Sequence, residues 1–140
     1  MEVQIKKIND EAIIPAFAKA GDAGMDVFCN ETVTLMPGQI VRVKTGIAMH
    51  IPEGCAGLFW DKSGLSMNHG LKTLGGVIDS GYRGEVLVGM INLGTEAYTI
   101  EKGNKVAQMI IQKVEHPEIR EVEILADSER GESGFGSTGK

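Results

Sequence analysis

The stretch Val41-Arg-Val-Lys-Thr-Gly-Ile-Ala-Met-His-Ile51 decides the fold. Val41 and Val43 alternate with Arg42 and Lys44, and Ile47, Met49 and Ile51 alternate with Ala48 and His50, a period of two over the whole run. Successive side chains of a strand project to opposite faces, so the pattern predicts one long or bulged strand with one face buried. Working outward, shorter strands are predicted over 3–8, 26–29, 32–35, 57–60, 76–78, 85–92, 98–100, 106–114 and 119–122. Pro37-Gly38, Pro52-Glu-Gly54, Gly94-Thr95 and Lys102-Gly103 supply turns between them. Helical periodicity is confined to a turn around 65–68, after Lys62-Ser-Gly64. Many short strands with closely spaced turns predict an all-β fold, a β-barrel or jelly roll.

Composition agrees. The chain has 140 residues, 42% hydrophobic and 24% charged, which is enough for one globular domain with its own core. Glycine takes 19 positions and proline four, an excess that points to tight turns rather than a disordered linker. Net charge is −5, so neither nucleic acid nor an acidic membrane surface is an expected partner, and any phosphate contact must be local. The segment 1–8 lacks the apolar core of a secretion signal, and the apolar run 106–111 is too short to span a bilayer. A cytoplasmic protein is expected, with Cys29 and Cys55 as reduced, buried thiols.

Four segments carry residues capable of chemistry. In Ala20-Gly-Asp-Ala-Gly-Met-Asp26 glycines surround two carboxylates, and Asp61-Lys-Ser-Gly-Leu65 sets a cation, a hydroxyl and a glycine amide in succession; either alone reads equally as an ordinary turn. Gly75-Gly-Val-Ile-Asp79-Ser-Gly-Tyr82-Arg-Gly-Glu85 runs two strand residues into an acid, a turn and an aromatic. That is the layout of a hairpin closing over a flat ligand, or of a structural hairpin with Tyr82 in the core and Arg83 paired with Glu85. From Arg130 the sequence is rich in glycine and hydroxyls, yet includes Arg130 and Phe135, a mixture suited to phosphate and an aromatic ring rather than to a spacer. Gly134-Phe-Gly-Ser-Thr-Gly-Lys140 also spells most of a P-loop, but lacks the preceding strand and the hydroxyl and helix that must follow the lysine.

Taken in order, Ala23-Gly-Met-Asp26, Lys62-Ser-Gly-Leu65, Gly76-Val-Ile-Asp79 with Tyr82-Arg-Gly-Glu85, Gly103-Asn-Lys-Val-Ala-Gln108 and Arg130 through Gly139 resemble the five motifs of the homotrimeric deoxyuridine triphosphate nucleotidohydrolases, the dUTPases. The resemblance implies a jelly-roll domain over 1–129 and a mobile arm over 130–140 that closes over the site. It also implies a trimer with shared active sites and cleavage of dUTP to dUMP and pyrophosphate, with Mg2+ carried on the triphosphate. Such an activity limits uracil in DNA and supplies dUMP for thymidylate synthesis. By motif position, Asp79 would hold the sugar 3′-hydroxyl and act as general base toward the water attacking the α-phosphorus. Tyr82 would pack on the deoxyribose and exclude a 2′-hydroxyl. A strand over 73–77, with Gly76, Val77 and Ile78, would present backbone groups to uracil and reject cytosine. Lys62, Ser63, Gly64 and Gln108 would hold the phosphates, and Asp26 would meet Mg2+ through water. Phe135 and Gly136 would cover the base while Arg130, Ser137 and Thr138 close on the phosphates. No protein-built metal cage is expected from the scattered His50, His69 and His116.

The family commonly carries arginine where Lys62 stands, so a point charge replaces a two-pronged guanidinium. The dCTP deaminases share the fold but place a glutamate in the strand where this chain has Gly89.

Overall fold

The computed structural model describes residues 1–129, 131 and 132. Ten strands and one helix are present among them: β1 (Gln4–Lys7), β2 (Met25–Phe28), β3 (Val33–Leu35), β4 (Ile40–His50), β5 (Cys55–Asp61), α1 (Ser63–His69), β6 (Leu71–Leu74), β7 (Val77–Asp79), β8 (Glu85–Asn92), β9 (Tyr98–Ile100) and β10 (Lys105–Lys113). They form two four-stranded antiparallel sheets, ordered β1-β4-β8-β6 and β2-β10-β5-β7, and a two-stranded ribbon β3-β9. The sheets enclose one core in which Val43, Ile47, Met49, Val86, Val88 and Met109 are almost fully buried. Among the described residues no helix is long and apolar enough to cross a membrane.

The deciding stretch is β4, and its odd-numbered positions from Val43 to Met49 all face the core. It is bulged as well as long. Lys44 pairs with Leu87 and Ala48 with Glu85, so four steps along β4 are matched by two along β8. Because the excess is two residues, the inward and outward alternation survives the bulge. In β10 the register slips once, between Lys105 and Ala107, which pair with Phe28 and Val27. This one-residue slip turns Lys105 from the core face of Ala107 and Met109 to the face of Gln108 and Asp26.

Three expectations are corrected. Residues 119–122 form no strand, and Ile119 stands 95% exposed. The strand 73–77 is instead two strands in different sheets: β6 pairs with β8 and β7 with β5, and the chain crosses between them at Gly75 and Gly76, both at positive φ (74° and 98°). For the same reason β7 and β8 are not the two arms of a hairpin, since the turn between them joins opposite sheets. The predicted helical turn extends to seven residues and stops at Gly70, whose left-handed backbone (φ 70°) caps α1.

A Cβ at Gly70 would stand 2.6 Å from the Gly94 amide nitrogen, backbone that cannot move aside. Gly70→Ala therefore combines strain with a clash, and chemical unfolding should register a loss of about 1–3 kcal/mol or more. An unchanged midpoint would show that the 93–95 turn yields.

Candidate active site

β7 is the last strand of its sheet, so one row of its backbone groups faces away from the ladder. Phe59 donates its N–H to the Gly76 carbonyl at 2.8 Å, which makes Gly76 and Ile78 the ladder-bonded positions and turns the Val77 amide and carbonyl to the free edge. Val77, Ile78, Asp79, Tyr82, Glu85 and Leu87 line a cleft of about 190 Å³ beside that edge. Asp79 is exposed at the end of β7, and Tyr82, 43% exposed, is no core residue. The Tyr82 hydroxyl donates to the Glu85 carbonyl at 2.9 Å, and a Cβ at Gly84 would overlap that hydroxyl. Arg83 does not pair with Glu85; its guanidinium donates to the Ser80 and Tyr82 carbonyls at 2.6 and 2.8 Å and stiffens the turn.

A charged cluster sits beyond the other end of β5. Asp26, its side chain 6% exposed, accepts from Lys62 Nζ at 2.5 Å on one oxygen and from Lys105 Nζ at 2.7 Å on the other. Burial pushes the Asp26 carboxyl up, but the two ammonium groups outweigh it and hold it below the usual range. Gln108, directly across from Asp26 in β10, donates its Nε2 to the Asp61 carbonyl at 2.9 Å. A Cβ at Gly24 would approach the Gln108 amide to 3.1 Å, so a glycine there leaves the glutamine its place. Ser63 and Gly64 open α1, where backbone amides have no acceptor within the helix, and no atom crowds Gly64. Asp61 does not hold Lys62: its Oδ1 accepts from the Thr73 amide (2.8 Å) and hydroxyl (2.6 Å), and Lys72 Nζ lies 3.0 Å from Oδ2. Burial raises the Asp61 carboxyl, while Thr73 and Lys72 pull it lower than ordinary.

The predicted residues thus fall into two groups. Gly76, Val77, Ile78, Asp79 and Tyr82 meet at one end of β5, and Asp26, Lys62, Ser63, Gly64 and Gln108 at the other. Asp79 pairs with Ala56, five residues from Asp61, which at about 3.3 Å per residue separates the groups by roughly 17 Å. Arg130, Phe135, Gly136, Ser137 and Thr138 lie outside the described residues.

The sequence profile of the dUTPase family matches residues 10–139. The chain belongs to the dUTPase family. It is 49% identical to the deoxyuridine 5′-triphosphate nucleotidohydrolase of Clostridium kluyveri, over 99% of both chains, and 42% identical to that of swinepox virus, over 98% of this chain and 96% of the viral one. Staphylococcus bacteriophage 80alpha dUTPase, solved with dUpNHpp, superposes with a TM-score of 0.93 at 34% identity and 99% coverage of both chains. The dUTPase of phage phi11 of S. aureus, in which a structural Mg(II) ion is described, superposes with a TM-score of 0.82 at 30% identity, over 89% of this chain and 98% of that one. The expected jelly roll is thereby borne out.

Two members of this dUTPase site escaped the sequence reading. Lys105 lacks any periodicity signal, because only the slip at Val106 brings it to the site face. Glu85 looked like half of a surface pair, whereas its Oε1 accepts the Gly46 amide at 2.9 Å. Among the described residues no three His, Cys, Asp or Glu side chains gather into a metal cage. Both Asp26 oxygens face ammonium groups, and the lone pairs left to them suit contact with an ion through water.

The Asp26 and Asp61 carboxyls are lowered in the folded state, so the stability they confer is complete above the unfolded value and is lost as pH falls through the folded one. Asp26→Asn should be less stable than the parent at neutral pH, since Lys62 and Lys105 lose their shared anion. That deficit should shrink in urea titrations taken from about pH 5 to pH 2. A deficit independent of pH would assign the loss to packing.

Proposed function

We propose that this dUTPase hydrolyses dUTP at sites built between copies of the chain, Asp79 coming from one copy and the Lys62, Ser63, Gly64 and Gln108 cluster from its neighbour in a trimer. The separation of about 17 Å along β5 carries this reading, because it is longer than a triphosphate can bridge. Within one copy the base and its phosphate ligands cannot serve the same nucleotide.

Uracil would lie along the free edge of β7, where Val77 offers a donor and an acceptor from fixed backbone. Cytosine inverts the pattern at its position 4 and leaves one of those groups unpaired. Tyr82 would pack against the sugar, and Asp79, exposed at the strand end, would accept the 3′-hydroxyl and a proton from the attacking water. As the water oxygen bonds to the α-phosphorus, the bond to the bridging oxygen breaks and pyrophosphate leaves. Lys62, Ser63, Gly64 and Gln108 would hold the phosphate chain in line, with Lys105 adding a second cation beside Asp26. Mg2+, carried on the triphosphate and met by Asp26 through water, supplies neutralisation of the phosphate charge. Arg130, Phe135, Gly136, Ser137 and Thr138 would complete the enclosure from a third segment, the arm over 130–140. Deamination is disfavoured at Gly89: a Cβ there would stand 2.9 Å from the Leu74 carbonyl, leaving no room for a glutamate base.

Pyrophosphate release from dUTP, without ammonia and without comparable turnover of dCTP, dTTP or UTP, is the expected assay result. Asp79→Asn should lower kcat by about 10²–10⁴ with little loss of nucleotide affinity. Ser63→Glu places a carboxylate against the phosphates while suiting a helix start, and should abolish turnover without unfolding. Equal mixtures of these two variants, denatured and refolded together, should regain activity in about a quarter of their sites if the sites are shared. No recovery, or a monomer by light scattering, would return the whole site to one chain.

A further inference from the structure

We propose that Glu85, through the bulge it holds in β4, is the positioning residue that sets Tyr82 against the sugar, and so determines discrimination between deoxyribo- and ribonucleotides. The inference rests on the function proposed above and concerns the sugar end of the same cleft.

The bulge breaks the ladder between β4 and β8 over three residues, Thr45, Gly46 and Ile47, which face Val86 alone. Two side chains replace the missing ladder bonds. Thr45 Oγ1 donates to the Val86 carbonyl at 2.5 Å, and the Gly46 amide donates to Glu85 Oε1 at 2.9 Å. The Gly46 carbonyl in turn accepts the Ile8 and Asn9 amides at 2.8 and 3.2 Å, which fastens the bulge to the segment after β1. Gly46 is at φ 69°, and a Cβ there would lie 2.8 Å from Asn30 Nδ2 and 2.9 Å from the Ala12 Cβ, so the bulge has little freedom to shift.

Glu85 therefore enters β8 held on both sides, by its pairing with Ala48 and by its own carboxylate. Its carbonyl is the acceptor that the Tyr82 hydroxyl uses, and Glu85 and Tyr82 line the same cleft as Asp79. With the Ser80 to Gly84 turn already stiffened by Arg83, the position of the phenol ring depends on where the Glu85 carbonyl stands. The only difference between the competing substrates is one hydroxyl. A ring held within a few tenths of an ångström can refuse it, and a ring free to tilt cannot.

The test compares kcat/KM for dUTP and UTP in the full-length enzyme. Glu85→Ala should lower the dUTP to UTP ratio by about tenfold or more, chiefly by improving UTP, whereas Glu85→Gln, which keeps an oxygen for the Gly46 amide, should stay within about threefold of the parent. Tyr82→Phe removes the hydroxyl without touching the bulge, and should lower the ratio in the same direction. A Glu85→Ala enzyme of reduced thermal stability and unchanged ratio would make the carboxylate a mere strut and overturn the inference. Should Glu85→Ala fail to fold, an unchanged ratio in Tyr82→Phe overturns it equally. A parent enzyme that does not turn over dUTP would instead refute the underlying function.

Discussion

The end of β5 governs the whole cleft, because it holds the chain on both sides of the point where it changes sheets. Asp61 takes three hydrogen bonds from Thr73 and Lys72, fixing the departing strand β6. Two residues earlier, Phe59 donates to Gly76 and receives the arriving strand β7. Between these anchors Gly75 and Gly76 make a turn that side chains with a Cβ adopt only under strain. Were the crossing lost, β7 would no longer be a free edge, and the cleft would have no backbone to read a flat ring. Asp61 thus does its work as a carboxylate with four available lone pairs, all directed at holding a neighbour rather than at a ligand.

Much of this was legible from residue order, and what was not follows a simple rule about parity. A bulge that adds two residues leaves the alternation of β4 undisturbed, so the period-two pattern read correctly while concealing the feature that orients Glu85. A slip of one residue in β10 has the opposite effect: counting inward positions from Ala107 and Met109 assigns Lys105 to the core, and the fold delivers it to Asp26. Strand β6 was missed because Thr73 is a buried polar residue, so Leu71-Lys-Thr-Leu74 shows no clean apolar alternation. Residues 119–122 misled for the reverse reason, having apolar side chains but no neighbouring strand in the chain itself. Periodicity reports faces, and a face matters only when a partner exists.

The two residue groups at opposite ends of β5 show what local motifs can and cannot convey. Each motif is short because each occupies a single strand end or turn, and its chemistry is readable there. Their mutual placement is a property of the sheet, fixed by the β5 pairings with β7 and β10. The cation cluster is also self-balanced to within one charge, since Asp26 answers two lysines. A surplus positive charge held in place beforehand spares a polyanion the reorganisation that free lysines would demand.

Gly89 has a consequence for what this scaffold can become. Its hydrogen faces the Leu74 carbonyl across the β6–β8 ladder, at the spot where related enzymes of the fold keep a base. A single substitution there cannot confer a second chemistry, because the new side chain would first have to drive β6 away and release the Thr73 bonds that Asp61 holds. Any route from one activity to the other must therefore pass through a rebuilt sheet edge, and the intermediates along it would lose the old function before gaining the new. Close packing at one glycine isolates this sequence from its neighbours in function more firmly than the similarity of their folds would suggest.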